Sequence, residues 1–343
     1  MRYVIGAALV GCAVGSAVFA VAQSSPRPDT PAWAYGLPPV NSAPAAPRPA
    51  DGGQRGGAPR QPDMSPKQIP GTNRTFTIPQ LRDFFNVADW FPGEHPPMPE
   101  VFVHGRQPDV RGCGMCHMPN GKGRPENAPI AGLPYAYVVQ QLLDFKNDRR
   151  TSADPRKTNT AQMIQAAKAM TDEEVRSAAT YIAALRYTPW VRVVEADTIP
   201  AMRIAGNVFF VVRDAGTEPL GERIVETPED GERFELRDPH SGFIAYVPKG
   251  SIARGAVLAS SGGSKTLPCT VCHGADLNGL GPVPGIAGRS PSYMVRQLWD
   301  FQQGTRKGEW APLMQQVVAK LSVRDMIDLI AYVSSVRPAD LNP

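Results

Sequence analysis

Cys113-Gly114-Met115-Cys116-His117 and Cys269-Thr270-Val271-Cys272-His273 are two copies of one pattern, C-x-x-C-H. The spacing has a chemical reason. Two cysteines three apart lie on one face of a helix, and the histidine that follows turns its imidazole toward whatever the thiols hold. This is the attachment pattern for c-type haem, in which both thiols add to the vinyl groups and the histidine ligates the iron. The competing chemistry is zinc, which paired Cys-x-x-Cys motifs also bind. Each pair here carries an adjacent histidine and its own downstream methionine, which favours haem. His117 and His273 are therefore the expected proximal ligands, with Cys113, Cys116, Cys269 and Cys272 as the covalent anchors of two haem c groups.

The surroundings of the motifs repeat as well. Cys269 stands 156 positions after Cys113, and the same interval carries Ile130-Ala131-Gly132 onto Ile286-Ala287-Gly288. It also carries Tyr137-Val138-Val139-Gln140-Gln141-Leu142-Leu143-Asp144-Phe145 onto Tyr293-Met294-Val295-Arg296-Gln297-Leu298-Trp299-Asp300-Phe301, and Arg150 onto Arg306. Two helical units made from one plan are the expected outcome. The repeat selects the sixth ligands. Met163 lies eight residues before Thr171, and Met314 eight before Ser322, each the expected cap of a last helix. Met170, the rival in the first unit, aligns with Leu321 and reads as a core residue. His95, His104 and His240 have no repeated counterparts and read as loop or surface residues.

Each unit resembles a class I cytochrome c domain, and the pair resembles the tandem dihaem cytochromes c of bacterial periplasms. The resemblance covers about 105–188 and 266–337. It implies a mainly α fold with two small helical haem domains. It also implies that Pro129 and Pro284 lie beside the proximal histidines, where a proline carbonyl accepts the imidazole Nδ1–H. The function implied is electron transfer through two His/Met haems. The partners implied are periplasmic or membrane-bound redox proteins: a dehydrogenase as donor, an oxidase or cytochrome as acceptor. A dihaem peroxidase would need dissimilar distal sites, and a sulfur oxidoreductase a free cysteine. A cytochrome subunit of a membrane-associated dehydrogenase keeps the same chemistry.

The remaining sequence sets the compartment and the boundaries. The chain has 343 residues, 42% of them hydrophobic, a net charge of +4 and five cysteines. That charge is too weak to point to nucleic acid. Residues 3–22 are free of charge and end in Ala20-Val21-Ala22, the form of an export signal that is either cleaved or kept as an anchor. Leu9-Val10-Gly11-Cys12 also resembles a lipoprotein box. Residues 23–73 are rich in Pro, Gly and Ala and are expected to be a disordered linker. The first haem domain is expected over 74–189 and the second over 266–343. Between them, 190–265 carries short β-branched and aromatic runs separated by turns, which predicts a β-rich insert that spaces the two haems.

Overall fold

The computed structural model describes residues 26–40 and 63–338. The export or anchor segment at 1–22 lies outside the described residues, as do 23–25 and 41–62 of the linker. No described helix is long and apolar enough to cross a membrane.

The first unit is built from α1 (Ile78–Leu81), α2 (Glu100–Val103), α3 (Cys113–His117), α4 (Tyr135–Lys146), α5 (Thr158–Ala169) and α6 (Asp172–Ala184). α6 starts where the sequence places it. The Thr171 hydroxyl accepts from the Glu174 amide, and the Glu174 carboxylate accepts from the Thr171 amide, so two orphan donors are satisfied together. Ala179 and Ile182 on its buried face pack with Phe102 of α2 and Val138 of α4. After α7 (Gly231–Glu235) and α8 (Ser251–Ser261), the second unit repeats this order with α9 (Thr270–His273), α10 (Pro291–Gln302), α11 (Ala311–Val318) and α12 (Val323–Ser335), which has its own capping box between Ser322 and Asp325.

The stretch between the units forms β1 (Val191–Glu195), β2 (Thr198–Pro200), β3 (Met202–Ala205), β4 (Val208–Val211), β5 (Thr217–Pro219), β6 (Val225–Pro228) and β7 (Phe243–Val247), of which β2, β3 and β5 lie outside the runs read from the sequence. β7 is the centre of a three-stranded sheet, parallel to β1 and antiparallel to β6. Its Phe243, Ala245 and Val247 point inward with the period of two that a half-buried strand requires. β2 pairs with β5, and β3 with β4.

The structure corrects three expectations. First, 190–265 is not only β. It also holds α7 (Gly231–Glu235) and α8 (Ser251–Ser261), and α8 packs across α12 as part of the second unit's core. Second, the Pro-rich 23–73 stretch is not uniformly disordered. A 3-10 turn at Ala32–Tyr35 buries Ala34 and Tyr35 in the core formed by α10 and α12, and the Tyr35 hydroxyl donates to Asp300 at 2.7 Å. Trp33 and Tyr35 supply the apolar area that outweighs ordering a proline-rich strap. Third, the insert does not space the units. The Thr151 amide donates to the Thr305 carbonyl and the Lys307 amide to the Arg149 carbonyl, each at 2.8 Å, so the units meet directly.

Candidate haem site

In both units the histidine ends a short helix and is tied to the same kind of partner. His117 Nδ1 lies 2.9 Å from the Ala128 carbonyl, and His273 Nδ1 2.8 Å from the Pro284 carbonyl. An Nδ1–H donated to a carbonyl fixes the ring and leaves the Nε2 lone pair for a metal. Burial pushes both imidazoles below their ordinary pKa and favours the neutral, ligating form. Burial also pushes the Cys113 thiol up to about 12 and Cys269 up to about 11. Such sites suit an uncharged thioether better than a thiolate.

Pro284 stands where it was expected, but Pro129 does not. Its carbonyl accepts from Arg289 Nη1 at 2.9 Å, and the histidine's acceptor is the residue before it. The reason is geometric. The loop after each motif closes on its histidine at the same chain distance, and the interval of 156 maps Pro284 onto Ala128. The repeat itself therefore marks the acceptor, and the residue type misleads.

Cys113, Cys116, His117 and Met163 line one cleft, which holds about 1630 Å³ of empty space counting its open mouth. Apolar walls come from Val138, Leu142 and Phe145 of α4 and Ile182 of α6. Met163 is half-buried on α5 and faces this space. Met170 borders it too, but is 5% exposed and belongs to a core cluster with Val101, Val110 and Val175. In the second unit, Met314 on α11 and Cys269 pack against one apolar cluster. The other histidines are occupied elsewhere: His95 beside Asp89, His104 at the Phe85 carbonyl, His240 on Glu94.

The polar wall of the cleft was not legible in the sequence. Arg150, Lys157 and Arg296 line it, all buried, while its buried carboxylates hold other partners, Glu126 Oε1 with Arg124, and Asp300 with Tyr35 and the Ala153 amide; Asp109 stands exposed at its edge. Lys157 donates only to the Tyr35 carbonyl, and burial with Arg296 nearby pushes its amine down to about 6. Buried cations with neutral partners are costly unless an anion joins them. The two propionates of a haem have that charge, so the residues present fit the group.

Arg150 and Arg306 sit at the centre of the contact between units, joined by an antiparallel bridge. Arg150 donates to Gln141 at 2.8 Å and to Tyr293 and Gln297 at 2.9 Å. Arg306 donates to Gln141 at 2.7 Å, Gln297 at 3.2 Å and Tyr137 at 3.4 Å. Exchanging the two units by 156 residues maps this set of side chains onto itself.

Two thiols and a carbonyl-anchored histidine, set in a cleft with apolar and cationic walls, describe a site for a covalently held haem. The cytochrome c family model matches residues 105–186. Cytochrome c-554(548) of Halomonas halodenitrificans is 38% identical over 78 residues, which are 22% of this chain and 94% of that protein. Cytochrome c4 of Pseudomonas aeruginosa is 24% identical over 225 residues, 64% of this chain and 82% of that one. A protein of Thiomonas intermedia named thiosulfate dehydrogenase electron acceptor is 26% identical over 219 residues, covering 63% of this chain and 74% of its own. The chain belongs to the cytochrome c family. Its cofactor is covalently bound haem c, and two haems fit its cytochrome c4 relatives.

Proposed function

We propose that this chain is an exported, periplasmic dihaem cytochrome that carries electrons one at a time between redox partners. Cys113 and Cys116 hold the first haem and Cys269 and Cys272 the second. His117 and His273 would each hold one iron, with Met163 and Met314 as their second ligands. The observation that carries this reading is the cleft that gathers both cysteines of the first motif, His117 and Met163. The bound haem supplies a one-electron Fe(III)/Fe(II) couple. The protein's part is to fix the imidazoles through Ala128 and Pro284, to exclude water with α4 and α6, and to offer cations to the propionates. With a histidine and a methionine offered to each iron, the chain would act as a carrier and not as an enzyme. Residues 3–22 direct export and, if retained, tether the carrier to the outer face of the inner membrane.

The test is optical. A ferric haem with a thioether ligand shows a weak far-red charge-transfer band. The wild-type protein should show it, and neither reduced haem should bind carbon monoxide readily. Met163→Ala and Met314→Ala should each remove about half of the band and open one haem to carbon monoxide, because the removed sulfur is that iron's sixth ligand. A wild-type spectrum without the band defeats the reading.

A second reading keeps the chemistry and changes the setting: a cytochrome subunit that takes electrons from a dehydrogenase. The similarity to the Thiomonas intermedia electron acceptor favours it. Co-purification of a dehydrogenase with the full chain in stable stoichiometry would distinguish this from a free carrier.

A further inference from the structure

The two haem units share a plan, but the segment between them touches their attachment helices unequally. Residues 233–240 lie against the first unit. Trp90 Nε1 donates to the Leu236 carbonyl at 2.8 Å, Arg124 Nη1 to the Phe234 carbonyl at 3.2 Å, and His240 meets Glu94 at 2.8 Å. Arg237 reaches furthest. Its Nη2 donates to the Met115 carbonyl, to the Gly114 carbonyl at 3.3 Å and to Met118 Sδ at 3.6 Å. Gly114 and Met115 are the two residues between Cys113 and Cys116, and Met118 follows His117.

Three features separate Arg237 from an ordinary surface cation. It is 9% exposed. Among the described residues no carboxylate pairs with it, since Glu126 is held by Arg124 and Asp238 by Arg233. Its backbone has φ +56°, a left-handed conformation that an arginine adopts only under constraint. The strained turn after α7 aims a buried charge at the first haem motif. Burial and Arg124 hold its pKa down to about 10, so it remains a cation at neutral pH. In the second unit Val271, the counterpart of Met115, is 66% exposed and Cys272 is exposed as well.

We infer that Arg237 raises the reduction potential of the first haem above that of the second. A fixed positive charge beside the motif disfavours the ferric state, which carries one more positive charge than the ferrous. It also neutralises carbonyls at the C-terminal end of α3, whose partial negative charge would favour ferric iron. At the second motif the corresponding residue, Val271, lies exposed to water, where charges are screened. The inference rests on the proposed haem attachment at Cys113, Cys116 and His117.

The experiment is a spectroelectrochemical titration of the full-length protein carrying Met314→His, which moves the second haem to low potential and leaves the first readable. Arg237→Gln should shift the reduction equilibrium of the first haem about tenfold toward ferric, or about 59 mV for a one-electron couple. Arg237→Lys, which keeps the charge, should restore most of it. Arg237→Gly suits the left-handed backbone and should fold while showing the potential of the glutamine variant. If Gln or Gly leaves the potential unchanged, or Lys falls as far as Gln, the inference is overturned while the carrier reading stands. Haem content below two per chain, or no far-red band in the wild type, overturns both.

Discussion

Gly255→Val should cost at least about 3 kcal/mol in the second unit, the upper end of what overpacking usually costs. The expected signature is a lower denaturant midpoint for that unit with haem absorbance lost in parallel. α8 crosses α12 so closely at Gly255 that a Cβ there would lie 1.8 Å from the Asp328 carbonyl oxygen and 2.9 Å from Tyr332 Cβ. The first obstacle is backbone, so no rotamer change relieves it. The crossing is further locked by Arg254, whose Nε and Nη2 reach the Asp328 carboxylate at 2.7 and 2.9 Å. Gly255→Ala should show most of the effect, because the clash begins at Cβ. An alanine variant as stable as the wild type would mean that the helices cross further apart.

Met163→His should lower the potential of one haem by on the order of 0.2 V, within the roughly 0.8 V span that axial ligands command. Thioether sulfur favours the ferrous state, and a second imidazole gives up that preference. The site would stay six-coordinate, so carbon monoxide would still be excluded while the far-red band halves. Met314→His should do the same to the other haem. A Met163→His protein in which the haem bound at Cys113 and Cys116 keeps its potential would mean that Met163 is not that iron's ligand.

Features made by neighbours in the chain were readable before folding. The capping boxes at Thr171 and Ser322 were found at their expected residues, as were α4, α10 and the strands at 191–195 and 243–247. What failed to show depends on tertiary contact. α8 reads Ser-Ile-Ala-Arg-Gly-Ala-Val-Leu-Ala-Ser-Ser, with small residues where an apolar stripe would announce a helix, because its partner comes too close to admit larger ones. The strap at Ala32–Tyr35 hides in proline-rich sequence, and only the core it enters explains it. Pro129 was preferred for its residue type, although the interval of 156 already pointed to Ala128. The cationic wall of the cleft combines Arg150 and Lys157 with Arg296 from the other unit, a meeting that no local pattern encodes.

The bridge between Arg150 and Arg306 has an evolutionary reading. A contact in which each side offers the same arginine, glutamine and tyrosine to the other is isologous, the kind two identical subunits make about a two-fold axis. The arrangement is what a dimer with its subunits joined end to end would present. Residues 63–189 produced alone should retain a self-complementary face and pair in solution, and an Arg150→Glu version of that fragment should stay single. Sedimentation of the two fragments would show whether the covalent join replaced an older association.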